Sequence, residues 1–376
     1  MANILISTNK SSQQTFDDDN QTMTVEAGVI VSFDSSVAVF SDLLSSRLVN
    51  SGFILSNVRG VGLDGDFGFV QNLAGGVIQG STEGVRTTGA HATVVNAGAI
   101  IGSAGRGVRI EDADKASVAN TGAISGTLYG VLLEGGGADG EAITNSGRIA
   151  CSVIAVGSFL DAGSTLTVTN NAKGIIAGSV SVGAYAGMLV LTNHGRLVGD
   201  VIDVPGLKTT IRNDGSIAGI VSLGGGDDRF DGRGGTSGKI YGIGGVDTII
   251  GGSKADWMDG GADRDILTGG KGPDRFQFSQ ASDTAPGVTR DFITDFNRGQ
   301  KDRIDIGDMA VDPFVFRGGQ GFVGGGTPSV RFDKVNKPGT ANDRTIVHGD
   351  ANGDGVTDFQ IELKGLITLK AVDFYL

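Results

Sequence analysis

Aspartate and glycine recur in a fixed phase between residues 223 and 277. Each nine-residue unit contains glycines, a short polar stretch, an aspartate at the sixth position and a large apolar residue at the eighth. Clean units begin at Gly242, Gly251, Gly260 and Gly269, and an earlier copy reads "LGGGDDRFD". The sixth-position aspartates are Asp228, Asp247, Asp256, Asp265 and Asp274. Between the early copy and the clean units, "GRGGTSGKIY" has Gly238 in place of aspartate.

The spacing of these units predicts a roll that binds cations. Six glycine-rich residues turn the chain and direct carbonyl groups inward, and the three-residue strand that follows buries its apolar side chain. Two units complete one turn, so Asp247 faces Asp265 with Asp228 beyond it, and Asp256 faces Asp274. Stacked carboxylates repel one another unless a hard cation with flexible oxygen coordination joins them, and calcium is such a cation. The alternative is a solvated array of acidic turns, which would not require consecutive units to keep register.

Asparagines recur on a longer period nearer the start of the chain. Phrases such as "VVNAGAIIG", "VANTGAISG" and "LTNHGRLVG" place them 20 to 25 residues apart, at Asn50, Asn72, Asn96, Asn120, Asn145, Asn170, Asn193 and Asn213. Each unit contains three short strand patterns, as in one coil of a parallel β-helix, and the asparagines would stack about 4.8 Å apart. A sandwich of β-hairpins is the alternative, and the fixed period disfavours it.

The two repeats together predict an all-β protein. A parallel β-helix of about 20–25 residues per coil continues into a calcium-binding parallel β-roll and then into a β-rich C-terminal domain. The predicted segments are an N-terminal cap of one or more coils at 1–45, the β-helix at 46–222, the roll at 223–278 and the C-terminal domain at 279–376. A cap is expected because an open solenoid end is an exposed sheet edge.

The nine-residue units resemble those of the RTX family of secreted bacterial proteins. Downstream, "ITDFNRGQKDRIDI", "GDANGDGVTDFQIEL" and the terminal "DFYL" resemble the C-terminal domain of serralysin-type metalloproteases and other type I secretion substrates. The asparagine phrases resemble the β-helical stalks of haemagglutinin-like adhesins and autotransporters.

The RTX resemblance implies several bound calcium ions and a route out of the cell. An ABC exporter would recognise the uncleaved C-terminus, and the roll would fold on calcium outside. Removal of "DFYL" is accordingly expected to lower secretion and to leave folding largely intact. The resemblance also implies that loop carbonyls join the aspartates as calcium ligands, on Gly245, Gly251, Gly252, Gly260, Gly261, Gly269, Gly270 and Gly272.

Composition and short motifs exclude several classes of partner and site. The net charge of −12 argues against nucleic acid and anionic membranes as partners. No apolar stretch approaches 18 residues, so no helical membrane span is expected, and the first residues lack the pattern of a Sec signal peptide. The histidines His91, His194 and His348 are isolated, which excludes the H-E-x-x-H zinc site of serralysins. The stretch Asp350–Asp358 fits either a β-hairpin turn or a calcium loop.

Two classes of function remain for a secreted, extracellular or cell-surface protein of this kind. The favoured one is a non-catalytic adhesin, matrix or surface-layer component that self-associates with calcium or attaches to a cell-surface polysaccharide. The alternative is a polysaccharide lyase or epimerase, or a carbohydrate-binding protein, that uses the β-helix face. Its candidate residues are Asp64, Asp66, Glu111, Asp112 and Asp114 near Arg86 and Arg109. Short loops disfavour a catalytic cleft, so no catalytic residue is predicted.

Overall fold

The computed structural model describes residues 3–137, 140–204, 206–338 and 341–376. Its regular structure consists of β-strands and two short 3-10 helices, Gly307–Met309 and Ala371–Asp373. The chain divides into two compact units: unit 1 contains residues 1–205 and 215–219, and unit 2 contains residues 206–214 and 220–376. Among the described residues, no helix is long and apolar enough to cross a membrane.

Unit 1 is a parallel β-helix with three strand positions in each coil. The first position, which carries the asparagines from Arg47–Asn50 onward, holds Ile4–Ile6, Thr22–Val25, Arg47–Asn50, Phe69–Asn72, Thr93–Asn96, Ser117–Asn120, Glu141–Asn145, Thr165–Asn170 and Met188–Asn193. The strands after the turn are Ile30–Phe33, Phe53–Ser56, Val77–Gly80, Ala99–Gly102, Ala123–Gly126, Arg148–Ala150, Ile175–Ala184, Arg196–Asp203 and Ser216–Ile217. The third position holds Gln14–Thr15, Val37–Ser41, Arg59–Leu63, Glu83–Thr88, Arg106–Glu111, Tyr129–Glu134 and Ile154–Phe159, and the later halves of Ile175–Ala184 and Arg196–Asp203.

The core of unit 1 follows from the period-two pattern of these strands. Equivalent residues of successive coils pair in parallel register, so Val94 lies beside Val118, and Ile100 lies beside Ile124. These side chains are fully buried, and burial of each contributes about 1.5–3 kcal/mol. The register therefore repeats one column of aliphatic side chains from coil to coil.

The asparagines of unit 1 form a buried ladder, which we call the asparagine ladder. Each side-chain amide donates to the carbonyl oxygen of the next asparagine at 2.8–2.9 Å, from Asn50 through Asn72, Asn96, Asn120, Asn145 and Asn170 to Asn193. Asparagine suits this position because its amide both donates and accepts. The glycine of the phrase is also required, because a Cβ on Gly122 would overlap the carbonyl oxygen of Gly98.

Replacing Asn170 by alanine is expected to lower the free energy of unfolding of unit 1 by about 3 kcal/mol. The substitution removes hydrogen bonds to Asn145 and Asn193 and one to the carbonyl of Gly174, in a place closed to water. The matched control is Asn171→Ala, which removes one partly buried hydrogen bond to Ser146. Urea unfolding measures both variants, and equal losses would contradict the role of the ladder.

Unit 2 contains two parallel strand stacks and an antiparallel extension. The first stack is Thr210–Asn213, Arg229–Asp231, Thr248–Ile250, Ile266–Thr268, Asp291–Ile293 and Phe359–Lys364. The second stack is Val221–Gly224, Lys239–Gly244, Trp257–Ala262, Arg275–Gln277, Arg303–Asp305 and Phe374–Tyr375. The extension adds the strands Val315–Phe316, Ser329–Val335 and Arg344–Asp350. Arg344–Asp350 lies between Ser329–Val335 and Phe359–Lys364 and is antiparallel to both. The predicted all-β class, with parallel β-helix coils and a parallel roll, is confirmed.

The segment "DFYL" forms part of the second stack of unit 2. Phe374 pairs with Ile304 and is buried, and the carbonyl of Tyr375 accepts the amide of Ile306 at 3.1 Å. The carboxylate of Asp373 accepts a hydrogen bond from Arg298 at 2.6 Å. The expectation that this segment is dispensable for folding does not fit these contacts, because its removal uncovers the strand Arg303–Asp305.

Candidate calcium site in the roll

The strands of unit 2 position the sixth-position aspartates. Each aspartate directly precedes a strand: Asp228, Asp247 and Asp265 lead into strands of the first stack, and Asp256 and Asp274 into strands of the second. The apolar eighth-position residues enter the core and are fully buried: Phe230, Ile249, Met258, Leu267 and Phe276. Because the strands pair in register, the aspartates of each stack lie one above another.

On one side of the roll the aspartates form a chain of hydrogen bonds, which we call the first aspartate ladder. The amide of Asp228 donates to Oδ1 of Asp247 at 2.8 Å, and the amide of Asp247 donates to Oδ1 of Asp265 at 2.8 Å. The amide of Asp265 then donates to Oδ1 of Asp291 at 2.6 Å. Asp291 lies outside the repeats and was not predicted from the sequence. Its signal is "DFI", an aspartate followed two residues later by a buried aliphatic residue, without the preceding glycines.

The second aspartate ladder lies on the other side of the roll. The amide of Asp256 donates to Oδ1 of Asp274 at 2.9 Å, and the amide of Asp274 donates to Oδ1 of Asp302 at 3.1 Å. Asp302 was also missed, although "DRI" carries the same short signal. The ladder starts at Asp256, because the pairing of Lys239 with Trp257 puts Gly238 at the equivalent place in the preceding coil.

Most of the second oxygens of these carboxylates lack hydrogen-bond partners. Oδ2 is buried and unpartnered in Asp228, Asp247, Asp265, Asp274 and Asp291. Oδ2 of Asp256 accepts the amide of Gly252 at 2.7 Å, and Oδ2 of Asp302 accepts the amide of Asn297 at 2.8 Å. Buried carboxylate oxygens without donors are costly unless a cation or a proton satisfies them.

Burial raises the pKa of every aspartate in the two ladders. The pKa rises to about 6 for Asp228, to about 7 for Asp247 and Asp274, and to about 9 for Asp265. The pKa values of Asp256, Asp291 and Asp302 are also raised. Removal from water is the main cause in each case, and the next carboxylate in the ladder adds to it for Asp265 and Asp274. Without a cation, neutral pH therefore leaves the ladders only partly ionised.

The first-position glycines leave space beside the Oδ2 atoms of the aspartates. A Cβ on Gly242 would overlap Oδ2 of Asp247 and the carbonyl oxygen of Gly260, and one on Gly251 would meet Oδ2 of Asp256 at 2.8 Å and the carbonyl oxygen of Gly269. Gly260 and Gly269 are similarly close to Oδ2 of Asp265 and Asp274. Carboxylate and carbonyl oxygens of neighbouring coils thus share one space, and this donor set suits calcium.

Other loop positions depend on left-handed backbone angles. Gly245, Gly261, Gly270 and Gly272 have positive φ angles, of 92°, 92°, 95° and 117°. Gly252, the remaining predicted ligand, donates its amide to Asp256 and accepts the amide of Lys271 at 3.1 Å. Ile243 has a φ of 85° at a position that is glycine in the next three units, which is a strained conformation for a β-branched residue.

Comparison with known proteins identifies the repeat. Among the described residues, no three histidine, cysteine or acidic side chains converge as a metal site. A family model described as the RTX calcium-binding nonapeptide repeat matches residues 241–276 in four copies. These are RTX repeats. Calcium is therefore their ion, and the aspartates at 247, 256, 265 and 274 lie within the matched residues.

One solved structure that is similar to this chain comes from an epimerase. The AlgE6R3 subunit of the mannuronan C5-epimerase from Azotobacter vinelandii, determined in solution, is 29% identical over 46% of this chain and 80% of its own. The TM-score of 0.27 is too low for this likeness to bear on function. No curated protein matches the chain.

Outside the RTX repeats, the candidate residues of a polysaccharide enzyme separate into two groups. Arg86 binds Glu111 and lies 3.5 Å from Asp64, and Arg109 binds Glu111 at 2.6 Å and also Glu134. Although burial opposes the change, these arginines lower the pKa of Glu111. The other group is Asp66, Asp112 and Asp114, which line a separate cavity in the turns of unit 1. The structure therefore does not assemble the carboxylates and arginines into one site.

The stretch Asp350–Asp358 is a hairpin turn between antiparallel strands of unit 2. The carboxylate of Asp350 accepts the amides of Gly353 at 2.7 Å and Gly355 at 2.9 Å, and that of Asp358 accepts the amide of Ala351 at 2.7 Å. The carboxylates thus hold the turn closed through backbone amides.

Proposed function

We propose that the chain is a secreted, non-catalytic extracellular protein whose RTX roll folds on calcium, and which then self-associates as an adhesin, matrix or surface-layer component. The observation that carries the proposal is the row of buried, unpartnered carboxylate oxygens in the two aspartate ladders. Such a row is stable where calcium is abundant. Extracellular modules of this kind typically bind calcium with Kd values of about 10⁻⁴–10⁻³ M.

The same chemistry supports type I secretion. In a cytosol with little free calcium, uncompensated carboxylates keep the roll from closing, and an open chain suits passage through an ABC exporter. Residues 279–376 would act as a serralysin-like secretion domain, recognised by the exporter through its C-terminal end. Outside the cell, calcium would fill the ladders and trap the folded form.

Charge supports self-association in calcium. The chain carries a net charge of −12, which opposes close contact between copies. Calcium bound in the ladders reduces that charge, so copies approach one another more readily when the roll is loaded. A cell-surface polysaccharide with carboxylate groups is a second partner that calcium would bridge.

The surfaces expected of a sugar-active enzyme are occupied by internal contacts. Arg86 and Arg109 are held in ion pairs, so they are not free to bind a uronate carboxylate. In unit 2, the ring of Trp257 lies between Lys239, whose Nζ is 3.2 Å from the ring centre, and Arg275 at 4.0 Å. The residues come from successive coils, so both ring faces are covered and stacking on a sugar is hindered.

Analytical ultracentrifugation of the full chain, in millimolar calcium and in chelator, tests the proposal. We expect larger species only with calcium, and no release of unsaturated uronate or epimerised product from alginate or pectin in parallel assays. Magnesium at equal ionic strength is the control for simple charge screening. A protein that stays monomeric in calcium and converts the polymers would refute the proposal and support the lyase or epimerase alternative.

A further inference from the structure

Acidic side chains gather on one row of turns in unit 1, well outside the RTX repeats. The turns follow the third strand of each coil and stack through backbone hydrogen bonds, such as that from His91 to the carbonyl of Asp114 at 2.6 Å. They border an open, shallow cavity of about 450 Å³, lined by glycines, Ala90 and the carboxylates of Asp66, Asp112, Asp114 and Asp161. An acidic surface turn alone needs no ligand, because water can solvate it.

Glu141 is different, because its carboxylate is closed to water and lies close to Gly136, which lines this cavity. Only 1% of the residue is exposed, and neither carboxylate oxygen has a hydrogen-bond partner. Oδ1 of Asp114 is also buried and unpartnered. By contrast, the buried Glu83 is paired with Arg59 at 2.8 Å.

The glycines of the turn show where a ligand of Glu141 would lie. Gly136 and Gly137 line the cavity. From the place of a Cβ on Gly136, Oε1 of Glu141 is 2.9 Å away and the carbonyl oxygen of Ala113 is 3.0 Å away. From the equivalent place on Gly137, Oδ1 of Asp114 is 3.1 Å away. Oxygen atoms from two successive coils therefore border the space beside these two adjacent glycines.

The electrostatics of the turn favour a cation in this space. Burial is the main cause that raises the pKa of Glu141 to about 7, and the negative charge of Asp114 adds to it. Asp161 adds a smaller effect in the same direction. A divalent cation would offset this repulsion and satisfy the buried oxygens.

We infer that Glu141, Asp114 and the carbonyl of Ala113 form a calcium site in unit 1, independent of the RTX repeats. The donors are hard oxygens of mixed type, and calcium accepts such sets with flexible geometry while water fills the remaining positions. The site would join the turns of two successive coils. The inference of this site does not depend on whether the calcium-loaded roll self-associates.

Hydrogen exchange of the full chain, followed by mass spectrometry, locates the effect of calcium. With calcium at ten times its Kd, peptides covering residues 111–116 and 141–147 should exchange about tenfold more slowly than in chelator. The Glu141→Gln variant keeps the shape and removes the charge, so it should lose this slowing. Peptides from residues 241–276 should keep their own calcium response in the variant.

Glu134→Gln is the matched control, because it makes the same change seven residues earlier, where the carboxylate already binds Arg109. It should retain the slowing at both turns. Asp114→Asn provides a second variant should Glu141→Gln fail to fold, and it too should weaken the response. Equal exchange of the wild-type turns with calcium, magnesium or chelator would overturn the site and leave Glu141 as a buried carboxylic acid. An unchanged calcium response in Glu141→Gln would also overturn it.

Discussion

Replacing Asp265 by asparagine is expected to raise sharply the calcium concentration at which the roll of the full chain folds. Asp265 stands inside the first aspartate ladder, between Asp247 and Asp291, so its carboxylate borders the spaces on both sides. At calcium a hundredfold above Kd, each lost ion removes about 2.7 kcal/mol of stabilisation. The variant should therefore lose about 3–5 kcal/mol from unit 2 in calcium, and much less in chelator.

Fluorescence of Trp257 reports this change, because it is the single tryptophan of the chain and lies in the strand after Asp256. Asp263→Asn is the matched control, since it makes the same chemical change in the same repeat at an exposed position outside the ladders. Asparagine also tolerates the left-handed backbone there, where φ is 76°. If both variants fold at the wild-type calcium concentration, the ladder does not bind the ions.

In chelator, the roll is expected to be more stable near pH 5 than near pH 8. The ladder aspartates have folded pKa values above 3.8, reaching about 7 for Asp247 and about 9 for Asp265. Between the unfolded and folded pKa values the folded roll holds more protons than the unfolded chain, so stability falls as pH rises through that window. Each pKa unit corresponds to about 1.4 kcal/mol, so ionising Asp247 alone opposes folding by on the order of 4 kcal/mol.

Calcium should reverse this dependence, because it binds the ionised carboxylates and displaces their protons. The gain in stability on adding calcium should therefore be large at pH 8 and small at pH 5. Urea unfolding at both pH values, with calcium and with chelator, measures the four free energies through Trp257. A calcium-free roll that is more stable at pH 8 would show that the buried aspartates do not control its folding.

The repeats allowed much of the fold to be predicted from sequence, because a solenoid coil contacts mainly its neighbours. The asparagine period gave the parallel β-helix, and the phase of Asp256 and Asp274 indicated which aspartates stack. Both inferences depend on local spacing alone: a residue's place in its coil fixes its place in the column.

Tertiary structure decided the features that depend on contacts between non-repeating segments. Asp291 and Asp302 extend the ladders from segments without the glycine pattern, because the strands after them pair with the last RTX strands. The pairing of Phe374 with Ile304 makes the terminal segment part of the roll. No repeat in the sequence indicates these strand pairings.

The sequence also could not show which charged residues are buried or which partners they bind. In the printed sequence, Glu111 and Glu141 are equally acidic residues next to variable turns. The register of the coils gives Glu111 two arginine partners and leaves Glu141 buried without a hydrogen-bond partner. Composition and spacing determined that this chain builds coils and binds calcium. Which carboxylates are paired, and which are left for a cation, depends on side-chain packing between coils, because the cost of burying a charge depends on the groups that surround it in space.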